Sequence, residues 1–330
     1  ATFTLPGACN RLPIREMLPP RLRLTTRETP EAVDASTALE RYHSGASFSM
    51  GDTLVNGEWA GRFHRLSVVV AGPGLGKTTL ARRIAWEYAV DGIPALIVPL
   101  KRLAAAVENG MSVEAAIELH GLSGSAVDGA ELRNARSRLV IVADALDEAG
   151  KLHDEIADGL VGYAAGHPQA TIIITTRPIG YETGRLADWR HYRLEGPNEK
   201  MGGENLGRLI AATRGQPGDD RDSRTIADRE LAKTAAQEAI ARSPLLLGMS
   251  ATLIVRNEKL PATRPAMYEA MVALFEERDT TALAEAISSA EAKRILDIIG
   301  WQLAADPLLT WDKLAALGQQ QLAKDLARPT

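Results

Sequence analysis

Cysteine is nearly missing: Cys9 is the single one. No intrachain disulfide can form, and a reducing compartment is expected. No apolar run reaches the length of a membrane span. The longest, Leu245 to Val255, is too short and is interrupted by Ser250 and Thr252. No signal peptide opens the sequence. A cytoplasmic protein without a membrane partner is therefore expected. Excess positive charge is missing too. The formal net charge is −4, which argues against sequence-independent binding of nucleic acid. No internal repeat stands out. The Asn-Lys-x-Asp segment with which small GTPases read guanine does not occur, so ATP is expected over GTP.

What is present suits a globular chain. Its 330 residues are enough for two domains, and 45% apolar residues can bury a large core. The chain begins at Ala1 rather than Met. It ends in Ala327-Arg328-Pro329-Thr330 straight after an expected helix. A piece of a longer protein is the expectation.

Residues 1–35 are rich in Pro, Arg and Thr without a clear period, and 1–55 reads as a linker or N-terminal arm. From Leu66 the pattern changes. Leu66 to Val70 is a short apolar run, read as a buried strand. Further strands are expected over Ile93 to Pro99, Leu139 to Ala143 and Thr171 to Thr176, with a short one at His191 to Leu194. Helices are expected after the first strand, with Leu80, Ile84 and Tyr88 on one face. Two more are expected over Val113 to His120, capped by Ser112, and over Leu152 to Ala165. Alternating strands and helices imply an α/β fold, a parallel sheet with helices on both faces. Gly215 to Arg224 reads as a polar loop. Beyond it, helices are expected over 226–241, 244–256, 265–278, 289–304 and 311–326, an all-helical region. Trp301 and Trp311 read as core.

Ligands of parallel sheets bind outside the carboxyl ends of the strands. Three motifs fall at such ends. The first is Ala71-Gly72-Pro73-Gly74-Leu75-Gly76-Lys77-Thr78-Thr79. It matches the strand, G-x-x-x-x-G-K-S/T, helix pattern except that Ala71 replaces the first glycine. Gly74 and Gly76 let successive N–H groups turn toward phosphate oxygens. The helix beginning near Lys77 adds its positive dipole end. Lys77 would pair with the β- and γ-phosphates, and the Thr78 hydroxyl would ligate Mg²⁺.

The second motif is Asp144-Ala145-Leu146-Asp147-Glu148. Asp144 can hold Mg²⁺. Glu148 is favoured to polarise the attacking water. Asp147 could share that role or order the surroundings of the metal. Ala145 is small enough for the backbone to pass close to a phosphate. The third motif is Thr176-Arg177-Pro178. Arg177 could sense the γ-phosphate in cis, or form a structural ion pair with an acidic neighbour.

Together these residues resemble the NACHT family of signal-transduction NTPases (STAND). The mark is an aspartate at a strand end, a tiny residue, then an acidic pair, as in Asp144 to Glu148. Thr176-Arg177-Pro178 resembles the family's sensor-1 segment. Ser243-Pro244-Leu245-Leu246-Leu247 resembles the segment whose proline packs on adenine, which assigns Pro244 that contact. Arg264 to Glu269 looks like the helix opening that follows it in many bacterial members. The resemblance implies an ASCE/AAA-like P-loop core over 56–214, a helical domain over 215–280, and the start of a winged-helix region over 281–330. Many relatives use a histidine there on the β-phosphate, and no histidine follows His191.

The resemblance further implies a switch. ADP holds it closed and ATP supports self-association, with sensor and effector domains outside this chain. Bacterial members often act in defence against phage. Two other functions compete. One is an AAA-type motor acting on nucleic acid or protein. The other is a non-catalytic scaffold that keeps ADP, against which Asp147 and Glu148 argue.

Overall fold

The structure is a computed structural model. It describes residues 2–5, 11–16, 21–25, 54–56, 60–123, 138–178, 184–197, 199–216, 220–232, 237–283, 294, 297–302 and 316–320. The chain divides into two compact units, Ala1–Met267 and Tyr268–Thr330.

In the first unit the early strands are β1 (Thr2–Thr4), β2 (Arg11–Pro13), β3 (Arg21–Thr25) and β4 (Leu54–Asn56). Helix α1 (Ala60–Phe63) leads into β5 (Leu66–Val70), α2 (Lys77–Val90) and β6 (Ala95–Pro99). Then come α3 (Leu100–Glu108), α4 (Val113–Leu122), β7 (Val140–Asp144), α5 (His153–Gly166), β8 (Thr171–Thr176) and β9 (Arg190–Glu195). The main sheet has the order β4-β3-β9-β5-β8-β7-β6. From β9 to β6 every neighbouring pair is parallel. Strand β8 stands between the phosphate-loop strand β5 and the acidic strand β7, which is the ASCE, AAA-like order of P-loop NTPase folds.

Alternate residues of each strand build two cores, one on each face of the sheet. Val68, Ile141, Ala143, Ile172 and Ile174 pack with Leu100, Leu103, Ile117, Ile156 and Leu160 of α3, α4 and α5. Val69, Val140, Val142 and Ile173 pack with Leu80, Ala81, Ile84 and Tyr88 of α2. Both faces are therefore covered by helices, and the central strands β5, β7 and β8 are mostly apolar, with Ser67 a buried exception.

The N-terminal arm is more than a linker. Strand β3 pairs antiparallel with both β9 and β4, and Leu22 is fully buried against α2 and β9 residues. Burying such a leucine is worth about 2 kcal/mol. Phe3, Leu5, Leu12 and Ile14 are buried as well, and Arg83 Nη1 of α2 donates to the Ile14 carbonyl at 3.2 Å. The sequence Arg-Leu-Arg-Leu-Thr alternates with period two, the signal of a half-buried strand. It was masked by the surrounding Pro and Thr.

Helices α6 (Glu199–Thr213), α7 (Arg221–Ala232), α8 (Gln237–Ala241) and α9 (Pro244–Val255) complete the first unit. The loop expected through Arg224 is shorter than that. Asp220 Oδ2 accepts from the Ser223 N–H at 3.0 Å and the Ser223 hydroxyl at 2.6 Å, so α7 begins at Arg221 with a carboxylate cap. Helix α9 is buried continuously from Leu246 to Ile254. That explains an apolar run too short for a membrane: it is a core helix. Among the described residues no helix is long and apolar enough to cross a membrane.

Helix α10 (Arg264–Leu283) runs into the second unit, whose other described residues are also helical. Most of the expected winged-helix region, Trp311 included, lies outside the described residues. Trp301 is 76% exposed, not core. An indole on a helix is covered only where a facing element supplies apolar side chains.

Candidate functional site at the carboxyl ends of the strands

The loop after β5 is fixed first by its neighbour strand: the Ala71 N–H donates to the Thr176 carbonyl at 2.9 Å. It then turns through Gly74 (φ 75°) and Gly76 (φ 89°), both in the left-handed region. There a side chain would be strained. A Cβ at Gly74 would also meet Leu245 Cβ at 3.3 Å. Gly72 and Leu75 close a turn, while Pro73 is exposed. Helix α2 starts at Lys77 with Gly76 as its cap residue and no side-chain capping bond. The N–H groups of Lys77, Thr78 and Thr79 have no carbonyl of their own helix to bond. The fold thus leaves uncapped donors and the positive end of a helix dipole at the loop after β5, which suits an anion. Thr78 is exposed at this point.

Across from it, Asp144 ends β7 and is buried to 8% exposure. The Thr175 hydroxyl of β8 donates to Asp144 Oδ1 at 2.6 Å and accepts from the Ala145 N–H at 2.9 Å. Thr175 is itself fully buried. One carboxylate oxygen is thereby held, and the whole group is kept in one rotamer. Ala145 adopts φ 65°, ψ 67°, a left-handed conformation that penalises larger side chains. Its small size therefore serves the backbone as well as any close ligand. Sequence reasoning missed Thr175. The signal was there: two threonines close an otherwise apolar strand, and buried hydroxyls need partners.

The acidic pair separates into two environments. Asp147 faces Arg177: Oδ1 accepts from the Arg177 N–H at 3.1 Å, and Oδ2 pairs with Arg177 Nε at 2.9 Å. Asp147 is 10% exposed in its side chain and Arg177 46%. Glu148 is exposed, and its carboxylate has no hydrogen-bond or ion-pair partner among the described residues. Arg177 thus makes the structural ion pair, and its terminal nitrogens remain open.

Lys77 ties the two halves together. Burial pushes its pKa below the usual lysine range, opposed by the charge of Asp147 and, more weakly, of Asp144 and Glu148. Arg177 adds to the lowering. Asp147, Arg177, Asp144 and Glu148 are therefore all within electrostatic reach of Lys77. Among the described residues no cluster of three His, Cys, Asp or Glu side chains could hold a metal ion. A cation at Asp144 would need oxygens from another source, such as phosphates.

The start of α9 packs directly on the loop after β5. The Leu245 N–H donates to the Gly74 carbonyl at 3.2 Å. Ser243 caps the helix, accepting from Leu246 N–H at 3.4 Å. Pro244 lies beside the loop, its Cβ 4.0 Å from where a Cβ of Gly76 would be. The exit of β9 is equally tight, since a Cβ at Gly196 would stand 2.3 Å from the Arg242 carbonyl. The structure therefore brings Ala71 to Thr79, Asp144, Asp147, Glu148, Arg177 and Pro244 to the same end of the sheet, at and beyond the carboxyl ends of β5, β7 and β8.

No protein-family model matches the chain, and no curated protein matches it. Solved structures similar to it include domain III of the replication initiation protein DnaA from Thermotoga maritima. It is 12% identical with a TM-score of 0.41, over 73% of this chain and 91% of that one. PCH-2 from C. elegans is 15% identical with a TM-score of 0.39, over 65% of this chain and 61% of that one. The Aeropyrum pernix ORC1 protein, solved in complex with DNA, is 12% identical with a TM-score of 0.39, over 89% and 77%.

Proposed function

We propose that this chain is a nucleotide-dependent switch that binds ATP with Mg²⁺ at the phosphate loop and hydrolyses it slowly. The observation that carries the coupling is the hydrogen bond from Leu245 N–H to the Gly74 carbonyl. Through it, any change in the loop acts on the first turn of α9.

The residues present suit a magnesium nucleotide. Left-handed glycines, an uncapped helix start and a partly buried lysine suit phosphate oxygens. A buried aspartate with one oxygen held by Thr175 suits a divalent ion, as does the exposed Thr78 hydroxyl. Bound by Thr78 and Asp144, Mg²⁺ would neutralise developing charge on the phosphates. Lys77 orients the β- and γ-phosphates. Glu148 takes a proton from the attacking water on its free carboxylate. Arg177 offers its open nitrogens to the terminal phosphate. Self-association in the ATP state and a resting monomer with ADP complete the reading.

A motor of the AAA type shares the same sheet order and helical annex, so it is the second reading. Mass spectrometry of nucleotide released by denaturing the purified protein comes first: ADP is expected. Turnover is expected to be slow and unchanged by DNA, and light scattering should detect assembly only with a non-hydrolysable ATP analogue. A stable ring with ADP, or strong stimulation by DNA, would favour the motor. No nucleotide bound or released under any condition would remove both.

A further inference from the structure

We propose that Asp147 is a positioning residue for Arg177, presenting the guanidinium to the terminal phosphate and so setting the site's preference for triphosphate over diphosphate. This rests on the nucleotide-binding reading above. Asp147 grips Arg177 at two points, the backbone N–H at 3.1 Å and Nε at 2.9 Å. The closed ring of contacts fixes the side chain relative to the end of β8. Only Nε is used, so the Nη1 and Nη2 donors stay available for a planar, two-pronged contact with an oxyanion. An arginine already ordered in this way loses less freedom when the ligand arrives.

Other observations support the placement. The ends of β7 and β8 are also cross-linked through Thr175 to Asp144 and Ala145, so the strand end bearing Arg177 is rigid. Each Asp147 oxygen already accepts a bond and the side chain is 10% exposed, whereas Glu148 is exposed and unengaged. The two acids of the pair therefore do different work: Asp147 aims a cation and Glu148 handles water.

The test is calorimetry on the full chain with Mg²⁺, comparing ADP with a non-hydrolysable ATP analogue. Asp147→Asn keeps an acceptor for the backbone N–H but presents an amide to Nε. In Asp147→Asn and in Arg177→Ala the triphosphate preference should fall about tenfold each, as for one charge-assisted bond, and no further in the double variant. ADP affinity should stay at the wild-type value. Should Asp147→Asn melt early, Asp147→Glu keeps the charge but displaces the guanidinium, and the same loss is expected. An unchanged preference in the Asp147 variants overturns the proposal. If turnover also disappears, Asp147 is the base. A wild type that binds both nucleotides equally also overturns it. A wild type that binds neither removes the nucleotide reading itself, and the proposal with it.

Discussion

Lys77→Ala is expected to lose triphosphate binding while melting close to the wild-type temperature. Its ammonium sits partly buried at the first position of α2, and burial already pushes its pKa down. In the absence of ligand the charge is thus held at a cost, opposed by Asp147, Asp144 and Glu148. Removing it should leave the fold intact. With phosphate present the balance reverses, because each charge-assisted bond to an oxyanion contributes about 1.5–3 kcal/mol. Bonds to two phosphates amount to about a hundredfold in affinity or more. Calorimetry with the triphosphate and a thermal melt measure the two halves separately. Unchanged affinity would sink the phosphate-loop assignment.

Glu148→Gln should bind nucleotide and Mg²⁺ normally yet turn over about 10²–10⁴-fold more slowly, the usual contribution of a positioned general base. The amide keeps the size of the side chain but cannot take a proton from water. Glu148 is exposed and makes no side-chain bond among the described residues, so the substitution disturbs no packing. Single-turnover phosphate release, with nucleotide affinity measured in parallel, separates chemistry from binding. Normal turnover in this variant, with none in Asp147→Asn, would exchange the roles of the two acids.

Much of the site was legible because its chemistry is local in sequence. Gly74, Gly76 and Lys77 lie within one turn, and Asp144 to Glu148 within another. The strand before each is a short, mostly apolar run, as a sheet covered on both faces favours. What escaped depends on neighbours distant in sequence. Thr175 matters only because β8 lies beside β7, an adjacency created by the sheet order. Arg177 admitted two readings, sensor or ion pair, and only the geometry shows that Nε serves the pair while the other nitrogens stay open.

Helix α3 was missed for a different reason. Leu100, Leu103, Ala104 and Val107 have helical spacing, but the helix follows Pro99 of β6 with no turn between. Helix α6 was hidden by Gly202, Gly203 and Gly207, which lower helix propensity. Gly202 is required by closeness, since a Cβ there would stand 2.5 Å from the Ala241 carbonyl.

The pairing of β3 with β9 carries a practical consequence for anyone trimming this chain. Residues 1–55 read in sequence as a linker or N-terminal arm, and a shortened form starting near β5 would look reasonable. Such a form would strip β9 of its outer partner, leaving it paired only with β5 and exposing a bare row of N–H and C=O groups along one margin. Exposed margins of this kind recruit strands from other molecules. Clumping of the trimmed protein would then imitate ligand-driven assembly in a scattering experiment. The control is simple: true assembly responds to nucleotide, whereas sticking through β9 does not.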